Sequence, residues 1–503
     1  MSKLTSGDLG VVVSVFIVVG YMYQARQSGL YRLPPGPKKL PFIGNLLDMP
    51  SSYPWKTWAE WGKTYKTDIL HLEVPGQSII ILNSYEAAKE LLERRSAIYS
   101  SRPPSIMLQE LSGFGFQFGM MPYGERWRVR RRLFQKYFNP SHAMVYELPQ
   151  AKYVREFLHR LLDRPTEYRS LLSHLTGAIS ITMTYGVDVL PEDDPNLAIS
   201  RFAVQTIKEC LVPGHAIVDM VPMARYLPAW FPGAGFQKVA ARSRRDAAEL
   251  RNGIFEQAYK KWSSNDVSNP SFVSLCLDNC PDEVDQEYTT AVKDVAGNVY
   301  MAATDSTSAA LETFILAMTR YPEIQKRAQR EVDEVVGRDR LPAHADAPYM
   351  PYIMAIVKET LRWQATTPPG VPRQVASDDV YNGYFIPKDS VVWYNQWAML
   401  NDEADYPEPR EFRPERFLTT DGQLRKDGVR DPADIVFGFG RRNMSRLSRC
   451  HPLGPDGRRI VPTCEFDSGA IAHPMPFECT IKPRSREAVK LVQDTVEAME
   501  NAD

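Results

Sequence analysis

Apolar residues run without a charge from Leu9 to Tyr23, LGVVVSVFIVVGYMY, and they would cover every side of a helix instead of one stripe. At 1.5 Å per residue this run spans roughly 22 Å, so a crossing of the ~30 Å hydrocarbon layer must draw in flanking residues. Arg26, Arg32, Lys38 and Lys39 follow it, which puts that side in the cytosol by the positive-inside rule, and no small-residue cleavage signature intervenes. The pattern predicts an uncleaved membrane anchor with its flank over residues 1–33, a buried N-terminal helix of the body being the alternative. Pro34, Pro35, Pro37 and Pro41 then form a stiff hinge.

Beyond the hinge the period changes. Residues 68–82, DILHLEVPGQSIIIL, hold two β-rich runs around Pro75-Gly76, a hairpin signal. From Pro281 to Pro322 no proline intervenes, and Tyr288, Val292, Val295, Val299, Ala302, Ala303, Ala310 and Phe314 repeat with helical period. One helix on the order of 50 Å long is predicted there. A second helix ends near Trp363, ahead of PPGVP at 368–372; a strand is expected around Val391–Trp393 and a hairpin in EFDSGAIAHPMPFECTIKP. Repeats and low-complexity tracts are missing. The fold class predicted is mainly α with small β-sheets (α+β), one domain over 34–503 without an internal linker.

Composition narrows the function classes. Lys plus Arg number 60 and Asp plus Glu 61, a net charge of −1, which gives no field to attract nucleic acid. With 44% hydrophobic and 24% charged residues, the chain is neither disordered nor a polytopic membrane protein. Six cysteines, at 210, 276, 280, 450, 464 and 479, are too sparse for a disulfide framework, and Cys276 and Cys280 read as core thiols.

Four groups of residues carry candidate chemistry. Ala302-Ala303-Thr304-Asp305-Ser306-Thr307 sets a carboxylate beside alcohols inside an apolar helix. Such a group either delivers protons to a ligand at a helix distortion or forms a polar kink satisfied by neighbouring helices. Glu359 and Arg362, in KETLRW, are spaced to pair on one helix face, and Arg416, in PERF, could join them in a buried network. Trp127 and Arg131, in ERWRVRRR, place an indole and a guanidinium one turn apart, suited to a carboxylate of a large planar ligand or to a basic amphipathic helix. FGFGRR, at 437–442, makes a tight glycine loop ending in Arg442. Upstream, Phe114, Phe116, Phe118, Met120 and Met121 form an apolar stripe that either lines a pocket or packs the core.

In order, W-x-x-x-R, A-A-T-D-S-T, E-x-x-R, P-E-R-F and F-G-F-G-R-R resemble a cytochrome P450, preceded by an anchor and an LPPGP hinge. The resemblance runs nearly end to end. It is nearest to fungal microsomal enzymes of the O-methylsterigmatocystin oxidoreductase-like kind, notably in DMVPMARYLPAWFPGAGF and YNGYFIPKDSVVWYNQWAML. It implies haem b as cofactor, with Trp127, Arg131 and Arg442 on its propionates. It further implies Asp305 and Ser306, with Thr307 beside them, as the groups handling protons, and Glu359, Arg362 and Arg416 as a structural triad. NADPH-cytochrome P450 reductase, an apolar small-molecule substrate and the endoplasmic reticulum membrane would be the partners.

One departure matters. The family pattern F-x-x-G-x-R-x-C-x-G continues from Phe437, Gly440 and Arg442 into Met444 where the iron-ligating cysteine belongs, and into Arg446 where glycine belongs. A neutral thioether cannot replace a thiolate that pushes electron density onto iron. Residues 443–462, NMSRLSRCHPLGPDGRRIVP, lack the apolar face of the helix that follows in the family, so the fold is expected to be incomplete on the haem proximal side. Cys450 is the nearby thiol, six positions late. In the tract Val371-Pro372-Arg373-Gln374 the basic residue sits one position early, and neither Arg373 nor Gln374 is assigned to the haem. The sequence thus points to a haem-thiolate monooxygenase lineage. The alternative is a haem-free, inactive, membrane-tethered relative or the product of a truncated gene model.

Overall fold

The hairpin around Pro75-Gly76 pairs strand β1 (Ile69–Val74) with β2 (Gln77–Leu82), in register from Ile69↔Leu82 to Val74↔Gln77. Proline suits the first corner of the turn, and Gly76, at φ 77°, accepts the left-handed second corner that a side chain resists. The computed structural model describes residues 32–139, 146–210, 217–266, 270–280, 285–444, 464–479 and 481–500. The anchor expected over 1–33 lies, but for its last two residues, outside these, and so does Cys450. Among the described residues no helix is long and apolar enough to cross a membrane.

Two compact units make up the chain, one of residues 1–103 and 371–395, the other of 104–370 and 396–503. The first contains the hairpin and four later strands, β3 (Arg373–Gln374), β4 (Asp379–Tyr381), β5 (Tyr384–Ile386) and β6 (Val391–Tyr394). Strand β2 pairs in parallel with β6, through Ile79↔Val391, and β6 pairs antiparallel with β3, giving the order β1-β2-β6-β3. Strands β4 and β5 form their own two-stranded sheet. Helix α1 (Pro54–Tyr65) starts on a proline, where no amide donor is needed, and buries Trp58 against Leu70, Leu72, Ile79 and Ile81. His71 is buried on β1 with Nε2 3.0 Å from Ser78 Oγ. Burial, with Lys39 adding to it, drives its pKa down to about 3.

The second unit is helical: α2 (Glu125–Tyr137), α3 (Glu147–Asp163), α4 (Tyr168–Tyr185), α5 (Gly235–Ser263), α6 (Gln286–Arg320), α7 (Pro351–Trp363) and α8 (Arg486–Glu500). Helix α6 is the long helix expected from the proline-free stretch; its 35 residues span roughly 52 Å. The Asp285 carboxylate caps it by accepting from the Tyr288 amide at 2.9 Å, and Pro322 begins the next helix with only Tyr321 between them. Val292, Val295, Ala296 and Tyr300 are fully buried along it. So is Asp294, which binds Arg130 of α2 (2.6 and 2.8 Å) and Arg251 of α5 (2.6 and 2.7 Å). One carboxylate thus ties three helices together.

The hairpin expected near the C-terminus is present in short form. Among the described residues Phe466 and Pro474 pair through a single antiparallel bridge, with Asp467 N donating to His473 O at 2.9 Å and Met475 N to Glu465 O at 2.8 Å. Pro474 and Pro476 have no amide hydrogens, so the ladder cannot lengthen past them. Helix α8, which the sequence reading did not single out, follows.

Candidate functional site

At the centre of α6 the helix continues unbroken through residues 302–307, so the distortion expected there is absent. The alcohols return to the helix itself: Thr304 Oγ1 donates to Tyr300 O at 2.8 Å and Ser306 Oγ to Ala302 O at 2.7 Å. Thr307 is exposed. Asp305 is half-buried, with Oδ1 3.3 Å from Nε2 of His473. The other ring nitrogen, Nδ1, is 3.3 Å from Oε1 of Glu312, a buried carboxylate that also lies 3.6 Å from Arg169. Burial opposes a charged ring at His473, but the two carboxylates outweigh it and raise the pKa to about 9.

A second cluster surrounds α2. The Arg442 guanidinium lies over the Trp127 ring, 4.4 Å from its centroid, and donates to Phe118 O (3.1 Å) and Met121 O (2.7 Å). Arg131 donates to Asn443 O and, at 3.2 Å, to Met444 Sδ, and burial lowers its pKa. The loop that delivers Met444 closes through Met444 N to Phe437 O at 2.8 Å, with Gly438 (φ 79°) and Gly440 (φ 53°) at its left-handed corners. Trp127, Arg131, Arg442 and Met444 therefore meet. They meet around peptide carbonyls and a sulfur. Helix α2 touches α6 through Arg130 and Asp294, three turns before Asp305, and the Asp305 contact runs instead to the C-terminal strip. The aromatic stripe packs as core: Phe114, Phe116, Phe118 and Met121 are buried. Met121 also lines an open cleft of about 280 Å³, with Ile106, Gln109 and Arg126.

Glu359, Arg362 and Arg416 form one buried cluster. Arg362 Nε and Nη2 each donate to the Glu359 carboxylate at 2.8 Å, and Arg416 Nε approaches Oε2 at 3.1 Å. The remaining guanidinium donors go to peptide oxygens: Arg362 to Leu400 and Pro409, Arg416 to Pro407. Helix α7 is thereby tied to the segment 400–417, whose last turn, Pro414–Phe417, is a 3-10 helix.

Known sequences agree with this arrangement of elements. The cytochrome P450 family profile matches residues 34–443. The chain belongs to the cytochrome P450 family. Cytochrome P450 monooxygenase ple1 of Rhodocybe pseudopiperita is 43% identical, over 96% of each chain. Tryptamine 4-monooxygenase of Psilocybe cyanescens is 38% identical over 96% of this chain and 99% of its own, and cytochrome P450 monooxygenase 98 of Postia placenta 37% over 97% and 98%.

A P450 takes haem as its redox group, and the residues present meet that requirement only in part. Trp127, Arg131 and Arg442 make a cationic, partly aromatic wall of the kind a ring with carboxylates needs. The axial position is another matter. Met444 brings an uncharged thioether, already held by the Arg131 guanidinium, and Cys450 lies outside the described residues. The described donor set does not fit a haem-thiolate centre.

Three features escaped the sequence reading. The Asp294 hub joins helices far apart in sequence, and charged residues in α2 and α5 gave no sign of their common partner. His473 sat in a strip read only as a hairpin. Arg373, set aside on a register argument, is fully buried while Gln374 is half-buried, so the strand turns the basic side chain inward.

Proposed function

We propose that this P450 receives a small apolar molecule and descends from fungal microsomal monooxygenases of secondary metabolism, similar to O-methylsterigmatocystin oxidoreductase. In that lineage haem b, when bound, supplies the redox chemistry that inserts one oxygen atom, with electrons from NADPH-cytochrome P450 reductase. The observation that carries the reading is the acid beside an alcohol at the middle of α6, Asp305 and Ser306, in the same unit as the cationic wall of Trp127, Arg131 and Arg442. Ser306 gives its proton to Ala302 O and so presents lone pairs outward, while Asp305 holds or yields a proton at its carboxylate. The arginines would neutralise carboxylates of the planar group. A body resting on the endoplasmic reticulum membrane, facing the cytosol, accords with the exposed apolar side chains of Val221, Met223, Tyr226, Trp230 and Phe231.

Within this lineage we read residues 443–462 as lacking the ligand segment, because Met444 occupies the axial position and its sulfur already accepts from Arg131. That observation favours a second reading, a haem-free protein that binds an apolar molecule without oxidising it. Two measurements on purified protein separate the readings. Displacement of a fluorescent apolar probe by a panel that begins with indoles, suggested by the tryptamine-oxidising relative, tests the binding site; no displacement by any member removes it. The carbon monoxide difference spectrum of the reduced protein tests the centre. A red-shifted Soret band lost in Cys450→Ala would assign the ligand to Cys450 and restore the full monooxygenase reading.

A further inference from the structure

Asp305 and Glu312 are seven residues apart on α6, two turns along one face, and His473 stands between them with a ring nitrogen 3.3 Å from each carboxylate. The strip bearing His473 is held independently of its ring. Ala472 N donates to Thr366 O (2.9 Å), Asp467 N to His473 O (2.9 Å), and Arg169 Nη2 to Pro474 O (2.8 Å) and Met475 O (3.0 Å). Arg169, from α4, also lies 3.6 Å from Glu312, and Ser308 Oγ donates to Glu312 at 3.3 Å. Among the described residues, the charged groups around the ring are Asp305 and Glu312 from α6, with Arg169 from α4 behind Glu312. Asp467, on the strip itself, directs Oδ1 to the Gly469 amide (3.1 Å). Two carboxylates facing one arginine lack a positive charge, and a protonated ring supplies it. Burial works against that charge, yet the balance raises the ring's pKa to about 9.

We propose that His473, as an imidazolium, is a positioning residue for Asp305: it fixes the direction of the carboxylate and couples it to the Glu312–Arg169 pair, so that Asp305 turns to a ligand only when His473 lets go. This deepens, and rests on, the proton-handling role given above to Asp305 and Ser306. The clamp itself uses no atom of residues 444–463 and is independent of the axial ligand. It puts the protonation of the acid under the control of a segment some 160 residues away in sequence, and makes the last strip of the chain part of the site.

The test is a histidine titration by NMR on the full chain with ¹³Cε1-labelled histidine, the signal of His473 being the one lost in His473→Gln. In the unsubstituted protein its midpoint is expected near 9. Asp305→Asn, which is isosteric, should lower it by at least one pH unit, and Glu312→Gln should lower it as well. A midpoint of 6 to 7 in the unsubstituted protein, or one that Asp305→Asn leaves in place, overturns the proposal. If either variant fails to fold, the unsubstituted midpoint alone still decides. As a readout of position, the ¹³Cγ signal of Asp305 should shift in His473→Gln and stay fixed in His71→Gln; equal behaviour in the two overturns the clamp. None of these measurements needs haem, so a failed clamp is distinguishable from a failed monooxygenase reading, which the carbon monoxide spectrum tests.

Discussion

Glu359 accepts two hydrogen bonds of 2.8 Å from the guanidinium of Arg362, three residues on in the same helix, and both side chains are fully buried. A fork-to-carboxylate pair of this kind is strong only while each charge keeps its partner. Glu359→Gln replaces the carboxylate that Arg362 and Arg416 share with a single neutral acceptor, and the expected loss is about 3–5 kcal/mol in urea denaturation. A change under about 0.5 kcal/mol, the scale of an ordinary surface substitution, would mean that the cluster contributes nothing to the fold.

Asp294 should be comparably sensitive for a different reason. It is the common partner of Arg130 and Arg251, so Asp294→Asn uncouples α2, α5 and α6 at one point. A destabilisation of about 3 kcal/mol is expected. Arg126→Ala removes the most distant and most exposed of its arginines, at 3.7 Å, and should cost less than about 1 kcal/mol. Equal losses in the two variants would contradict the hub.

The two units should lose stability at opposite ends of the pH scale. His473 has a folded pKa of about 9 against 6.5 when free, so its stabilisation is complete below pH 6.5 and fades as pH rises toward 9. His71 is depressed to about 3, so between pH 6.5 and 3 the unfolded chain binds a proton that the folded one refuses, and stability falls as pH falls. Either slope approaches ~1.4 kcal/mol per pH unit at most. Urea midpoints from pH 4 to 10 should therefore trace a dome, with His473→Gln flattening the alkaline side and His71→Gln the acid side. An alkaline limb unchanged in His473→Gln would remove the imidazolium from the account.

Reduced protein under carbon monoxide should show no red-shifted Soret band, because Met444 has no charge to give iron and its sulfur is held by Arg131. Absorption at the ordinary position, or no haem absorption, is the expected spectrum.

Local chemistry decided how much could be read ahead of the structure. The Pro75-Gly76 hairpin and α6 were legible because their signals are short-range: β-branched runs around a turn pair, and an apolar period between two prolines. The Glu359–Arg362 pair was legible for the same reason, being set by one helix turn. What was not legible depends on where the chain returns to itself. His473 reaches Asp305 across more than 160 residues, and no property of AHPMPF announces a carboxylate partner. The expected distortion at 302–307 failed because Thr304 and Ser306 satisfied themselves on the preceding turn. Prolines 474 and 476 are visible in the sequence, but that they limit the pairing of Phe466 with Pro474 follows only from where the chain turns back.

The pairing of β2 with β6 also sets a timetable for synthesis. Ile79 to Leu82 emerge from the ribosome about 300 residues before Val391 to Tyr394, which they pair with. At ~5–20 residues per second that is a wait of roughly 15–60 s. During it the SIIIL segment offers an unfilled strand edge of the kind that other nascent chains can capture. The first sheet to begin is thus among the last to be finished, and a chaperone that shields this edge should raise the yield of native protein more than one acting on the helices.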